Sequence, residues 1–266
     1  MFPYLTVGTR QIPLYGCFAA LGIMASLLYT RRYEKTNGEY GADIDLALVY
    51  GLIGGVVGAK VLYLLINMEE LISEFHLLFS DTNTYFEKYL SGGFVYFGGL
   101  FGFLAAIHLY AKIVRIPSDE IISPAVPAFA LFHALGRVGC FFAGCCYGKP
   151  TKSIFGVVNH NSEIAPNEIS LIPVQLFESA VEIVIFFVLL SLQKKHTSGR
   201  KIQNHYLLLY GVARFFLEFL RGDTDRGFIG LLSVSQIIAL VVSLYAVGSL
   251  SIDKAKQHKA APRRKR

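Results

Sequence analysis

Seven apolar runs, at about 11–30, 44–67, 93–114, 122–146, 172–193, 204–221 and 229–250, constrain this chain more than any other feature. Each is close to the ~20 residues that cross the hydrocarbon core of a bilayer. Backbone groups in lipid must be paired within their own segment, and none of the runs shows the polar and apolar alternation of a barrel strand, so helices are the expected form. A chain of 266 residues with 53% hydrophobic and only 17% charged residues is also more apolar than a soluble domain needs. Residues 1–10, MFPYLTVGTR, lack the basic start and small-residue cleavage site of a removable signal peptide, so the first run is expected to remain as a span.

The expected fold is an all-α polytopic membrane protein of about seven transmembrane helices. Lys and Arg set its orientation: with the N-terminus outside, 16 fall on the cytoplasmic side and six outside (Arg10, Lys88, Lys149, Lys152, Arg221 and Arg226), while Lys60, Arg137 and Arg214 fall inside spans. The C-terminus is then cytoplasmic. The net charge of +6 sits in short clusters between apolar runs rather than on one face interleaved with aromatics, which argues against a nucleic-acid partner. We read residues 1–251 as one membrane domain and 252–266 as a basic cytoplasmic tail, either solvated or held against anionic lipid. Small residues (Gly51, Gly54, Gly55 and Gly58; Gly92, Gly93, Gly98, Gly99 and Gly102) predict close helix packing. Two outer segments exceed a simple turn: 68–91, where Phe75, Leu78 and Phe79 suit an interfacial helix or a plain loop, and 148–171, rich in Asn, Ser and Pro.

An ionised side chain near the bilayer centre costs at least ~2.5–3.5 kcal/mol, so each one needs a partner, a wet cavity or a task. Arg137 follows His133 by one helical turn, Glu218 follows Arg214 by four residues with Arg221 three beyond, and Gln175, Glu178 and Glu182 share a face of another run. One such pair is explained as an ion pair that lets a helix insert. Several in different runs point instead to a polar cavity, and arginines that recognise phosphate bidentately suit an anionic lipid headgroup. His133 alone in an apolar helix is more often a hydrogen-bonded core residue than a base.

Cys140, Cys145 and Cys146 cluster at the expected outer end of one run, with Cys17 apart. A zinc site is not expected: the spacing is no usual knuckle, adjacent cysteines do not easily share one tetrahedral ion, and His133 lies two turns away. Packing, or a disulfide in an outer compartment, are the plainer readings.

Five blocks then resemble, in order, the prolipoprotein diacylglyceryl transferase family: PLYGCFAALGI at 13–23, GGVVGAKVLYLL at 54–65, SGGFVYFGGLFG at 91–102, GRVGCFFAGCCYGKP at 136–150, and PVQLFES at 173–179 followed by YGVARFFLEFLR at 210–221. SVSQIIAL at 233–240 resembles the family's last helix. The resemblance implies a multi-pass enzyme of the bacterial cytoplasmic membrane. It implies transfer of a diacylglyceryl group from phosphatidylglycerol to the lipobox cysteine thiol in a prolipoprotein signal peptide, the first step of lipoprotein maturation, with glycerol phosphate released. By motif position it implies that Arg137 binds phosphatidylglycerol and assigns Arg214, Glu218, Glu178 and Tyr15 to catalysis. Outside the motif matches, Gly98, Gly99, Gln175 and Arg221 are candidates to bind the lipid with Arg137, and His133 is a candidate base. No cofactor or metal is implied, membrane lipid is the surroundings, and a monomer is expected.

The chain departs from that pattern at three places. Phe97 stands where the family usually has a histidine before paired glycines, and Cys140 and Cys145 stand where it has Asn and Glu. Phenylalanine accepts no proton, so the thiolate would form unaided near positive charge, His133 or a glutamate would take the proton, or the chain is a divergent paralogue with another acceptor. The competing classes are a relative that binds lipid without transferring it and a transporter with charges along a pathway, though the chain lacks the paired halves with broken helices that mark many transporters.

Overall fold

A computed structural model of the protein describes residues 3–37, 40–91, 93–223 and 227–260. Gly92, Arg226 and tail residues 261–266, all used above, lie outside these. In chain order the elements are β1 (Tyr4–Val7), β2 (Arg10–Pro13), α1 (Leu14–Asn37), α2 (Gly41–Ile66), α3 (Met68–Ser73), α4 (Leu77–Ser80), α5 (Thr82–Phe86), a π-helical turn (Glu87–Ser91), α6 (Tyr96–Val114) and α7 (Ser118–Ala143). Then follow β3 (Val157–Val158), β4 (Ser170–Leu171), α8 (Val174–Lys194), α9 (Gly199–Leu217), a 3-10 turn (Glu218–Leu220), β5 (Phe228–Ile229), β6 (Leu232–Ser233) and α10 (Val234–Ala260).

The protein is a mostly helical, polytopic membrane protein. Six helices, α1, α2, α6, α7, α8 and α10, are long and apolar enough to cross a membrane by length and composition. The run at 204–221 was expected to be a further span. Its helix, α9, begins earlier, so that Arg200, Lys201 and Gln203 join Asn204 and His205 in its first two turns, and it stops at Leu217 before the 3-10 turn. Those polar residues dilute its hydropathy. The first run also starts later than expected, because Arg10–Pro13 pair with Tyr4–Val7 in a hairpin before α1 begins.

Contacts divide the chain into two compact units, residues 39–125 and residues 1–38 with 126–266. In the first, α2 and α6 pack along their small residues. A Cβ at Gly98 would overlap the carbonyl of Gly58, and one at Gly102 the carbonyl of Gly54, so the helices touch backbone to backbone. Phe97 is buried at 1% exposure, with ring contacts to Tyr96 and Phe101. The 68–91 segment folds as three short helices and the π-helical turn rather than one interfacial helix. Phe75 and Phe79 are exposed there, while Lys88 Nζ and Tyr89 Oη both bond Glu74, at 2.7 and 2.8 Å. Those bonds and the positive charge hold the Glu74 carboxyl below its ordinary range, and the same partner raises Lys88.

In the second unit α8, α9 and α10 pack in sequence, and α1 lies along both α7 and α8. Ser26 Oγ donates to the Ala128 carbonyl at 2.8 Å, and Tyr29 Oη donates to Gln193 at 2.8 Å. Asn204 joins α9 to Ser249 of α10 at 2.8 Å, a polar contact suited to helices that lipid cannot drive together. The 148–171 segment is tied down at both ends: Lys149 N donates to the Leu220 carbonyl, and Ile172 N to the Lys149 carbonyl. This brings the chain after α7 against the end of α9.

Candidate active site

Three helices of the second unit each turn one polar stripe inward. α7 contributes His133, Arg137 and Cys140; α8 contributes Gln175, Glu178 and Glu182; α9 contributes Tyr206, Tyr210 and Arg214, with Glu218 one turn further on. Steps of three or four residues stack each set on one helical face. All of these but Cys140 are buried; Glu178 is 1% exposed and Glu182 fully enclosed.

Glu178 is the hub. Its carboxylate accepts from Arg137 Nη2, from Arg214 Nη1 at 3.2 Å and from Tyr210 Oη at 2.9 Å. Arg214 Nη2 lies 2.6 Å from Glu218, the helical pair expected from their spacing, so one guanidinium joins two carboxylates on different elements. Burying a charge is tolerable only with such partners. The Nε atoms of Arg137 and Arg214 are buried and make no hydrogen bond among the described residues.

A second cluster sits one turn along. His133 Nδ1 lies 2.7 Å from Glu182 Oε1, which also accepts from Tyr206 Oη at 3.2 Å. Tyr206 and Tyr210 stack with centroids 5.9 Å apart, and His133 meets Tyr210 edge to face at 5.4 Å. His133 is thus built into a buried network.

The other expected site residues are distributed unevenly. Gln175 donates to the Cys145 carbonyl at 2.7 Å, fixing the turn after α7. Arg221 is buried and bonds Asp223 through Nε and Nη2. Tyr15 is exposed and packs against Gly139. Gly98 and Gly99 belong to the 39–125 unit, where they line the α2 to α6 contact. Sequence reasoning missed Tyr206 and Tyr210 as network members, although their four-residue steps to Arg214 were visible.

The cysteines differ from expectation. Gly144 and Cys146 both take left-handed backbone, φ 74° and 58°, and the chain doubles back so that the Sγ atoms of Cys140, Cys145 and Cys146 lie within 4.8 Å of one another. Adjacent cysteines converge here because the reversal falls between them and the helix. Arg137 Nη1 lies 3.8 Å from Cys140 Sγ, linking the thiols to the Glu178 network.

The family described as prolipoprotein diacylglyceryl transferase matches residues 4–252. A phosphatidylglycerol–prolipoprotein diacylglyceryl transferase from Clostridium tetani (strain Massachusetts / E88) is 35% identical over 243 residues, covering 91% of this chain and 94% of that one. The Clostridium perfringens (strain 13 / Type A) protein named phosphatidylglycerol–prolipoprotein diacylglyceryl transferase 2 is 33% identical over 251 residues, 94% of each chain. The Oleidesulfovibrio alaskensis (strain ATCC BAA-1058 / DSM 17464 / G20) protein with the first of these names is 30% identical, covering 90% and 88%.

Proposed function

The chain belongs to the prolipoprotein diacylglyceryl transferase family, and on that premise we propose that its reaction runs at the Arg137, Glu178 and Arg214 network. The enzyme transfers a diacylglyceryl group from phosphatidylglycerol to prolipoproteins, the first step of lipoprotein maturation. The acceptor is the lipobox cysteine of the signal peptide: its sulfur forms a bond to the glyceryl carbon, the bond from that carbon to the phosphate oxygen breaks, and glycerol phosphate leaves with the electron pair.

Negative charge grows on the departing phosphate. Two guanidiniums held in place before the reaction stabilise that charge more than the ground state, which is what lowers a barrier. The observation that carries this reading is the shared Glu178: it holds Arg137 and Arg214 from separate helices at one point while each keeps a buried Nε donor. Arg137 takes the lipid phosphate, Arg214 follows the developing charge, and Glu178 and Glu218 hold them in position. With the N-terminus outside, the turn after α7 faces the outer side of the bacterial cytoplasmic membrane, and a single copy suffices.

Mass spectrometry of a lipobox peptide incubated with the protein and phosphatidylglycerol tests the reading. A diacylglyceryl mass gain on the peptide cysteine is expected, lost with Arg137→Ala while that variant stays in the membrane. Full activity of Arg137→Ala, or no gain with the native protein, overturns it.

A further inference from the structure

The transfer needs a thiolate, and the side chains of the buried network nearest Arg137 are already engaged with one another. Glu178 serves two arginines, Glu218 pairs with Arg214, and His133 is engaged with Glu182. The three thiols beside Arg137 supply a different means.

We propose that Cys140, Cys145 and Cys146 form a three-sulfur site for a thiophilic divalent cation, zinc, whose fourth position takes the acceptor cysteine of the substrate as a metal-bound thiolate. This rests on the transferase reading above.

Four tetrahedral zinc ligands at ~2.3 Å place sulfurs about 3.8 Å apart. The three Sγ atoms already lie within 4.8 Å of one another, at most about 1 Å beyond that spacing. Three protein ligands and one exchangeable position define catalytic rather than structural zinc. All three cysteines are partly exposed, the side from which an acceptor thiol would have to enter. Gln175 holds the turn that makes the site, through the Cys145 carbonyl.

Binding releases the three protein protons and the substrate's proton to solvent, because a coordinating thiol is deprotonated outright. Four thiolates around a dication leave two surplus negative charges, and Arg137, 3.8 Å from Cys140 Sγ, lies where it offsets part of them. The substrate sulfur then attacks the glyceryl carbon, the phosphate leaves beside Arg137, and the thioether, a weak zinc ligand, departs.

The full-length protein, reduced in detergent, is divided into as-purified, chelated and zinc-restored portions. Expected are one zinc per chain by elemental analysis, and alkylation of all three cysteines only after chelation. Transfer should fall at least ~100-fold without metal, the scale of a lost proton acceptor, and return with zinc. Cobalt in place of zinc should give a thiolate charge-transfer band that shifts with a lipobox peptide but not with one whose cysteine is serine. Cys17→Ser should change none of this, whereas Cys146→Ser should abolish the band. Undiminished transfer by metal-free protein overturns the proposal and leaves the transferase reading intact. Thiol protection that survives chelation and disappears on reduction means a disulfide and also overturns it. A band that ignores the peptide thiol does the same whatever the transfer assay shows. A band that shifts with peptide while no portion transfers lipid sustains the site and removes the transferase reading.

Discussion

Arg214 of α9 reaches back to Glu178 of α8, Nη1 to Oε2 at 3.2 Å, although Glu218 one turn below is closer at 2.6 Å. A pair meant only to carry a charge into the membrane would stop at the helical neighbour. The second bond ties α9 to α8, and through Arg137 to α7, so the three helices share one carboxylate.

Neutralising that carboxylate should therefore be costly. Glu178→Gln leaves two buried guanidiniums short of an anion, and breaking one partner of a buried pair costs about 3–5 kcal/mol. The expected outcome is a clear drop in melting temperature in detergent and a loss of transfer exceeding ~100-fold. Native melting and native activity together would remove Glu178 from the hub.

His133 should behave as a structural residue. Its Nδ1 lies 2.7 Å from the enclosed Glu182, so His133→Gln, which can still donate there, should keep transfer within a few-fold and leave the pH profile unchanged. His133→Ala should cost about 1–3 kcal/mol of stability by leaving the buried Glu182 carboxylate only the Tyr206 bond among those described above. Loss of transfer in His133→Gln with a flattened pH profile would instead make His133 the base.

The apolar runs made the long helices legible, because lipid enforces a length and a composition that each segment displays alone. Arg137, Arg214, Glu178 and Glu218 were legible for the same reason: a charge in an apolar run is conspicuous. Tyr206 and Tyr210 were not, since tyrosines in a helix carry no mark of which carboxylate they will meet. The convergence of Cys145 and Cys146 on Cys140 was hidden too, because it depends on left-handed backbone at both Gly144 and Cys146, and at the cysteine residue type does not announce it.

Within the 39–125 unit, two neighbouring glycines should respond oppositely to the same change. A Cβ at Gly102 would overlap the Gly54 carbonyl, which belongs to rigid helical backbone, so Gly102→Ala should force α2 and α6 apart and lower the yield of folded protein. A Cβ at Gly99 would meet the Gly55 carbonyl at 3.4 Å and the Ala59 Cβ at 3.5 Å, ordinary contacts, so Gly99→Ala should keep native melting. Thermal unfolding of the two variants in one detergent decides it; equal behaviour would show that the helices do not meet through Gly102.

The 68–91 segment should hold together only within a window of pH. Glu74 is held below its ordinary value, mainly by the bond from Lys88, so its contribution is fully present above the unfolded carboxyl value of ~4.3 and lost as pH falls through the lower folded value. Lys88 is raised, chiefly by the same partner, so its contribution is present below ~10.4 and lost as pH rises through the higher folded value. Protease cleavage within 68–91, read on the membrane-embedded protein with an enzyme active across the range, should therefore be slow at neutral pH and accelerate on acidification. Lys88→Met should cleave fast throughout and lose the acid step. An acid step that persists in Lys88→Met would place the responsible carboxylate elsewhere.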